Sequence, residues 1–309
     1  VADYTATALL ASIKRRGMIP ATTEALSDDD LLEFANDELF TYLVPLIMSV
    51  QEEYFVATKD TDVVAGTAEY DIPDRALGGK VKSVQLPDGS GGYYDIPRIE
   101  PERADDYALS GGPTGFYLRG SQIHLTPTPS STSTLRVSYF RRPSRLVQTT
   151  DVAQYASGTS TITTAATVPA TFTSGTAIDF VSARPTNFDV LEADAVINTA
   201  SGTSVTLSSG STPSNIAAND YLCLAGESPI PQIPPELHPL LAQRVVVRAC
   251  EALGLQQKQA SAEATSERMR LNALTLISPR TEGAARVIVN RNAPGFARNN
   301  RTGFRWRGV

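Results

Sequence analysis

The sequence predicts an α+β protein: a helical bundle built from the two ends of the chain, a small antiparallel sheet, a β-rich inserted subdomain and an extended C-terminal tail. Three observations carry this. Apolar residues recur at spacings of three and four near both ends of the 309-residue chain, the pattern of helices with one buried face. Between them lie short extended segments punctuated by Gly and Pro, which read as strands and turns. The last 31 residues hold seven Arg and one acid, a composition for reaching outward. The parts are bounded at 1–150 (N-terminal helices and sheet), 151–228 (insertion), 229–278 (C-terminal helices) and 279–309 (tail).

The first helix covers about 5–16, with Leu9 and Ile13 one turn apart, Lys14, Arg15 and Arg16 in its last turn and Gly17 just beyond as the stop. Ser27-Asp28-Asp29-Asp30 then opens a second helix, its hydroxyl and carboxylates suited to the free amides and positive end of the helix dipole. Leu32, Ala35, Leu39, Leu43, Leu46, Val50 and Tyr54 continue it as a stripe of about eight turns, with a kink expected at Pro45. From Asp62 the segments 63–64, 69–72, 80–86, 93–96, 116–118, 122–126 and 135–140 read as strands, two of them flanking a tight Arg119-Gly120 turn.

Residues 151–227 differ in composition, with 23 Ser and Thr and seven acids against the single Arg184. Runs at 160–164, 177–181, 195–198, 204–207 and 221–224 make this a compact β-rich block. It ends at Pro229-Ile230-Pro231-Gln232-Ile233-Pro234-Pro235, a stiff connector. Leu237, Leu241, Val245, Ala249 and Leu253 then mark a helix that Gly254 stops, and 256–277 a second one ended by Ser278-Pro279.

Charge is unevenly placed. The formal total is −6, but 279–309 carries +6, leaving −12 on residues 1–278. Nine acids and no Lys or Arg fall between Glu24 and Ala57. No apolar run approaches the roughly 18 residues of a membrane span, and the order of charges near the N-terminus is not that of a secretory signal, so a soluble chain made in the cytoplasm and not exported is expected. Catalytic spacings are absent. Gly78-Gly79-Lys80 has Asp74 and Val81 where a phosphate loop needs Gly and Ser or Thr. His124 and His238 read as a strand residue and a helix-start residue, and no nucleophile motif points at either. Cys223 and Cys250 read as small buried residues, and with the two His they offer no metal-ligand spacing. Asp105-Asp106 and Asp28 to Asp30 suit turns and helix starts. The chain is expected to be no enzyme, with no metal and no cofactor. In the tail, Arg298, Arg301, Phe304, Arg305, Trp306 and Arg307 suit either nucleic acid or a protein interface. The acidic body favours the protein partner.

The serial order of short motifs is informative. After the acidic helix come Tyr70-Asp71-Ile72-Pro73, Lys80-Val81-Lys82-Ser83-Val84, Gly112-Pro113 with Phe116-Tyr117-Leu118, Ile123-His124-Leu125-Thr126-Pro127-Thr128-Pro129, and Leu135 through Arg141-Arg142-Pro143. This resembles the head-to-tail adaptor proteins of tailed bacteriophages, also called connector or head-completion proteins, across the chain except about 151–227. The resemblance implies a homo-oligomeric, twelvefold ring at the virion's portal vertex, or neck, bound to the portal protein above and to tail or nozzle proteins below. Its lumen would pass double-stranded DNA without specific binding, aided by acids in the 24–53 or 179–194 regions. It also implies a C-terminal extension that climbs onto the portal, here Arg298, Arg301, Phe304, Arg305, Trp306 and Arg307, with Arg pairing carboxylates and the aromatics filling apolar pockets. The alternative is an adhesive or glycan-binding virion protein using the 151–227 block, where Tyr155 and Tyr221 are the Tyr residues available for stacking. A third reading has the Arg tail bind RNA or DNA.

Overall fold

Helices at both ends of the described chain share one hydrophobic core, and three further apolar clusters among the described residues are built mainly from strands. The computed structural model describes residues 4–18, 26–107, 112–184, 190–208, 210 and 212–278. All fall within the unit Val1–Ser278; Pro279–Val309 forms a separate unit and lies outside the described residues.

Helix α1 (Ala6–Gly17) starts at Thr5, whose hydroxyl accepts the Ala8 amide at 3.3 Å. Gly17 is not its stop. Gly17 is the buried last helical residue, and Met18 takes the left-handed position at φ 48°. Helix α2 (Asp28–Glu38) begins with a reciprocal cap: the Ser27 hydroxyl accepts the Asp30 amide at 3.1 Å and the Asp30 carboxylate accepts the Ser27 amide at 2.8 Å. The Asp30 carboxylate also accepts from the Ser27 hydroxyl at 2.7 Å, and that bond, followed by the one from the Ser27 amide, holds the Asp30 carboxyl below its usual pKa.

The long helix expected to kink at Pro45 instead changes its winding before it. Leu39–Leu43 form a π-helical turn in which the Val44 amide donates to the Leu39 carbonyl, and α3 (Val44–Val50) follows with Pro45 in its first turn. Proline needs no amide partner at a helix start, and the wider turn absorbs one extra residue. That residue rotates the remainder by about 100°. The buried stripe therefore continues through Leu43, Val44 and Ile47; Leu46 and Val50 are half-buried, and Tyr54, 40% exposed, lies beyond the helix. Helices α4 (His238–Ala252) and α5 (Gln256–Ile277) complete this core, with α4 packed against α1, α2 and α5.

Strand β1 (Val56–Val63) starts six residues before the expected change at Asp62. It is followed by β2 (Glu69–Asp71), β3 (Ala76–Pro87), β4 (Tyr93–Ile96), β5 (Gly115–Arg119), β6 (Gln122–Thr126) and β7 (Ser133–Arg141). Strands β1, β7, β3 and β4, in that order, form an antiparallel sheet, and β2, β6 and β5 form another. Val84, Leu135 and Val137 from the first share a core with Tyr70, Phe116, Ile123 and Leu125 from the second. The β5–β6 turn is Gly120-Ser121, one residue later than expected, because Arg119 pairs with Gln122 and Gly120 supplies φ 61°.

The Ser/Thr-rich block closes into a barrel. After β8 (Arg145–Leu146) come β9 (Ala153–Ser157), β10 (Thr161–Thr164), β11 (Ala177–Val181), β12 (Val190–Ser201), β13 (Ser204–Leu207) and β14 (Tyr221–Leu224). Their order around the barrel is β10-β13-β12-β11-β14-β9. Ile162, Ile178, Phe180, Ile197, Val205 and Leu222 fill it, one apolar side chain alternating with polar ones, which is how so hydroxyl-rich a sequence still packs a core. Strand β15 (Glu227–Ser228) pairs in parallel with β8, so the chain leaves the barrel beside where it entered.

Candidate functional site

The six tail residues Arg298, Arg301, Phe304, Arg305, Trp306 and Arg307 lie outside the described residues. What the described residues show is how the parts are joined. Asp179 of β11 is fully buried and accepts two bonds from the Arg75 guanidinium, at 2.6 and 2.9 Å, plus the amides of Asp194 and Gly226, each at 3.0 Å. One carboxylate thus ties the loop before β3 to the barrel with its lone pairs satisfied. In the helices Glu38, 1% exposed, accepts from Arg244 at 2.8 Å and Arg248 at 2.7 Å, linking α2 to α4. The Arg244 guanidinium also lies 4.3 Å from the Tyr42 ring centre.

The Arg142-to-Leu146 segment runs between these units, pinned from several sides. The Arg142 amide donates to the Arg75 carbonyl at 2.7 Å, Ser144 to the Gln232 side chain at 3.0 Å, and Arg145 to the Gly226 carbonyl at 2.8 Å. The buried Asn36 amide group closes on both backbone atoms of Leu146, accepting at 2.7 Å and donating at 3.1 Å. Pro143, Ser144 and Leu146 are buried while Arg142 and Arg145 face outward. Both border a cleft of about 540 Å³ where helices, sheet and barrel meet.

Two of the acids considered for a DNA-facing wall are not available for it. Asp179 and Glu38 are buried in ion pairs, since a buried carboxylate needs its partners close. Glu24 and Asp189 lie outside the described residues. Asp29, Glu33, Asp37, Glu52 and Glu53 are exposed.

The histidines and cysteines sit in structural places. Burial pushes His238 down to about 4, so its ring, set edge-on to Tyr4 at 4.9 Å, is neutral at pH 7. His124 of β6 stacks on Tyr117 at 4.8 Å. Cys223 is fully buried, and burial raises its thiol well above the usual range, which leaves it unreactive. Among the described residues no group of three or more His, Cys, Asp or Glu could hold a metal ion, and no helix is long and apolar enough to cross a membrane. Tyr155 and Tyr221 are buried, the former donating to the Gly158 carbonyl at 2.7 Å, so neither offers a sugar an open ring face. The pinning residues Arg75, Asn36 and Gln232 carried no sequence signal, because each lies far along the chain from what it holds.

Comparison with known families gives the class: this is a structural adaptor protein of a bacteriophage. The chain belongs to the family described as SU10 adaptor protein, whose model matches residues 4–176. The matched span reaches into the barrel and stops at the residue before β11, whereas the likeness was expected to leave out about 151–227. No match was found among curated proteins.

Proposed function

We propose that the chain assembles as a twelvefold ring beneath the portal of a tailed phage, at the virion neck. It joins the portal to tail or nozzle proteins and continues the DNA channel. The observation that carries this reading is the family match over residues 4–176. The distribution of charge supports it. A body of −12 does not retain a polyanion, and retained phosphate contacts would slow genome passage. The +6 tail is the part fitted to grip another assembly, with Arg298, Arg301, Arg305 and Arg307 for carboxylates and Phe304 and Trp306 for apolar pockets. No bond-making step is assigned to any residue. The internal ties at Asp179, Glu38 and Asn36 suit a part that transmits position.

The tail assignment is tested by deleting 294–309. The shortened chain should keep the wild-type circular dichroism and unfolding midpoint yet no longer co-sediment with portal rings. Undiminished co-sedimentation would defeat the docking role of these residues.

A further inference from the structure

A ring of identical copies needs two different surfaces on each copy, one meeting the other on its neighbour. We propose that these are a cationic groove beside the start of α5 and the acidic, tyrosine-bearing corner between α3 and β1, so that Glu52, Glu53 and Tyr54 of one copy seat in the groove of the next. The inference rests on the ring assembly proposed above.

The groove, of about 440 Å³, lies between the end of α1, α4 and the first half of α5. Its lining residues share one face of each long helix. At 100° per residue, Gln243, Val246 and Cys250 span about 60° of α4, and the five lining residues from Gln257 to Thr265 span about 140° of α5. Buried Val246, Cys250 and Ala262 give it an apolar floor, while Arg16, Met18 and Lys258 stand exposed around it. The buried Gln243 side chain donates to the Ala262 carbonyl at 3.2 Å, which fixes α5 against α4 along the groove. Among the described residues no acid lines it, and neither Arg16 nor Lys258 forms a salt bridge, although residues 1–278 together carry −12. The junction cleft, by contrast, is lined by both signs. Cations around an apolar floor suit a segment that carries carboxylates and an apolar side chain; a DNA phosphate would leave the floor unfilled.

The corner after α3 has those properties. Glu52 and Glu53 are exposed, and Tyr54 beside them is 40% exposed. Glu53 also pairs with Lys82, while Glu52 forms no salt bridge among the described residues. The turn is held in place: the Tyr54 amide donates to the Gln51 carbonyl and the Val56 amide to the Glu53 carbonyl, each at 3.1 Å, and Phe55, edge-on to Tyr54 at 4.9 Å, is buried in the helical core. A tip fixed beforehand loses little entropy on docking, and tyrosine is a favoured interface anchor. Its position rules out a contact within one copy. The Gln51 side chain donates to the Ile277 carbonyl at 2.8 Å, so the corner adjoins the last turn of α5, whereas Lys258 stands in the first turn. The interval from 258 to 277 is nineteen residues, about 28 Å along a helix. Groove and corner therefore meet between copies, and as two distinct surfaces they make a head-to-tail contact.

The test uses the full chain on portal rings, with mass measured for the complexes. Glu52→Cys and Lys258→Cys are introduced together and, as controls, singly. Within one copy these positions cannot bridge, since a disulfide needs Cα atoms closer than about 7 Å, and the native Cys223 and Cys250 are buried. After mild oxidation the double variant should give a non-reducing ladder extending to the whole ring, and each single variant should run as a monomer. In a second arm Lys258→Glu should raise the concentration needed to close rings about tenfold or more, and adding Glu52→Lys to the same chain should recover part of that loss; both sites are exposed, so circular dichroism should be unchanged. Closed rings without cross-links, or a charge swap that recovers nothing, would overturn the inference and leave the adaptor reading standing. Where the cysteine pair itself prevents closure, the charge swap decides. Loss of attachment even of single Lys258→Glu copies would give the groove to the portal and overturn the inference. Failure of wild type to attach would overturn the adaptor reading and this inference with it.

Discussion

At the scale of single residues, burial decides which charges matter. The Arg75–Asp179 pair is desolvated on its acidic side, so removing Arg75 strands the buried Asp179 carboxylate. Arg75→Ala should cost about 3–5 kcal/mol in urea unfolding, whereas Asp60→Ala, which breaks an exposed pair with Arg136, should cost about 1 kcal/mol or less. Equal losses would contradict the structural role given to Asp179. His238 supplies a pH dependence of definite sign. Its pKa is about 4 when folded against about 6.5 unfolded, so between those values the unfolded chain holds the extra proton. Stability therefore falls as the pH drops from about 6.5 to about 4, by on the order of 3 kcal/mol. Comparing unfolding midpoints at pH 7 and 4.5 for wild type and His238→Phe isolates this contribution; parallel losses in the two proteins would refute it.

Among elements, periodicity located what is local and missed what is not. The strands at Tyr93–Ile96, Gln122–Thr126, Ala177–Val181, Ser204–Leu207 and Tyr221–Leu224, and α5, stand at the residues read from alternation and turn chemistry. The π turn was illegible, because the stripe through Leu46, Val50 and Tyr54 continues smoothly in sequence while Pro45 forces one extra residue into the winding. Strand β1 was missed because Lys59, Asp60 and Asp62 look like a loop; its partner β7 supplies the apolar side. Helix α1 shows the reverse error, with Gly17 marked as the stop and Met18 taking the strained position. That strain is relievable. Met18→Gly should raise stability by roughly 0.5–1 kcal/mol, read as a higher thermal midpoint, and a lower midpoint would mean that the 80% exposed Met18 side chain contributes more than its backbone costs.

For the molecule as a whole, an acidic body of several cores is fastened by a few buried polar ties and followed by a basic tail. The order of motifs from Tyr70 to Pro143 made the family legible, since each is a turn or strand end whose residues are dictated locally. The cleft where helices, sheet and barrel meet was not legible. Glu33, Phe40, Asp74, Arg142 and Arg145 converge only after helices, sheet and barrel have packed, and no spacing along the chain announces that. The central claim is that this chain is a coupling ring between portal and tail. A cryo-electron microscopy reconstruction of the intact virion tests it most directly. The account predicts a ring at the capsid–tail junction, touching the portal, into which the helical core, the paired sheets and the barrel fit. Finding this fold elsewhere on the particle, or a junction fully occupied by other chains, would contradict it.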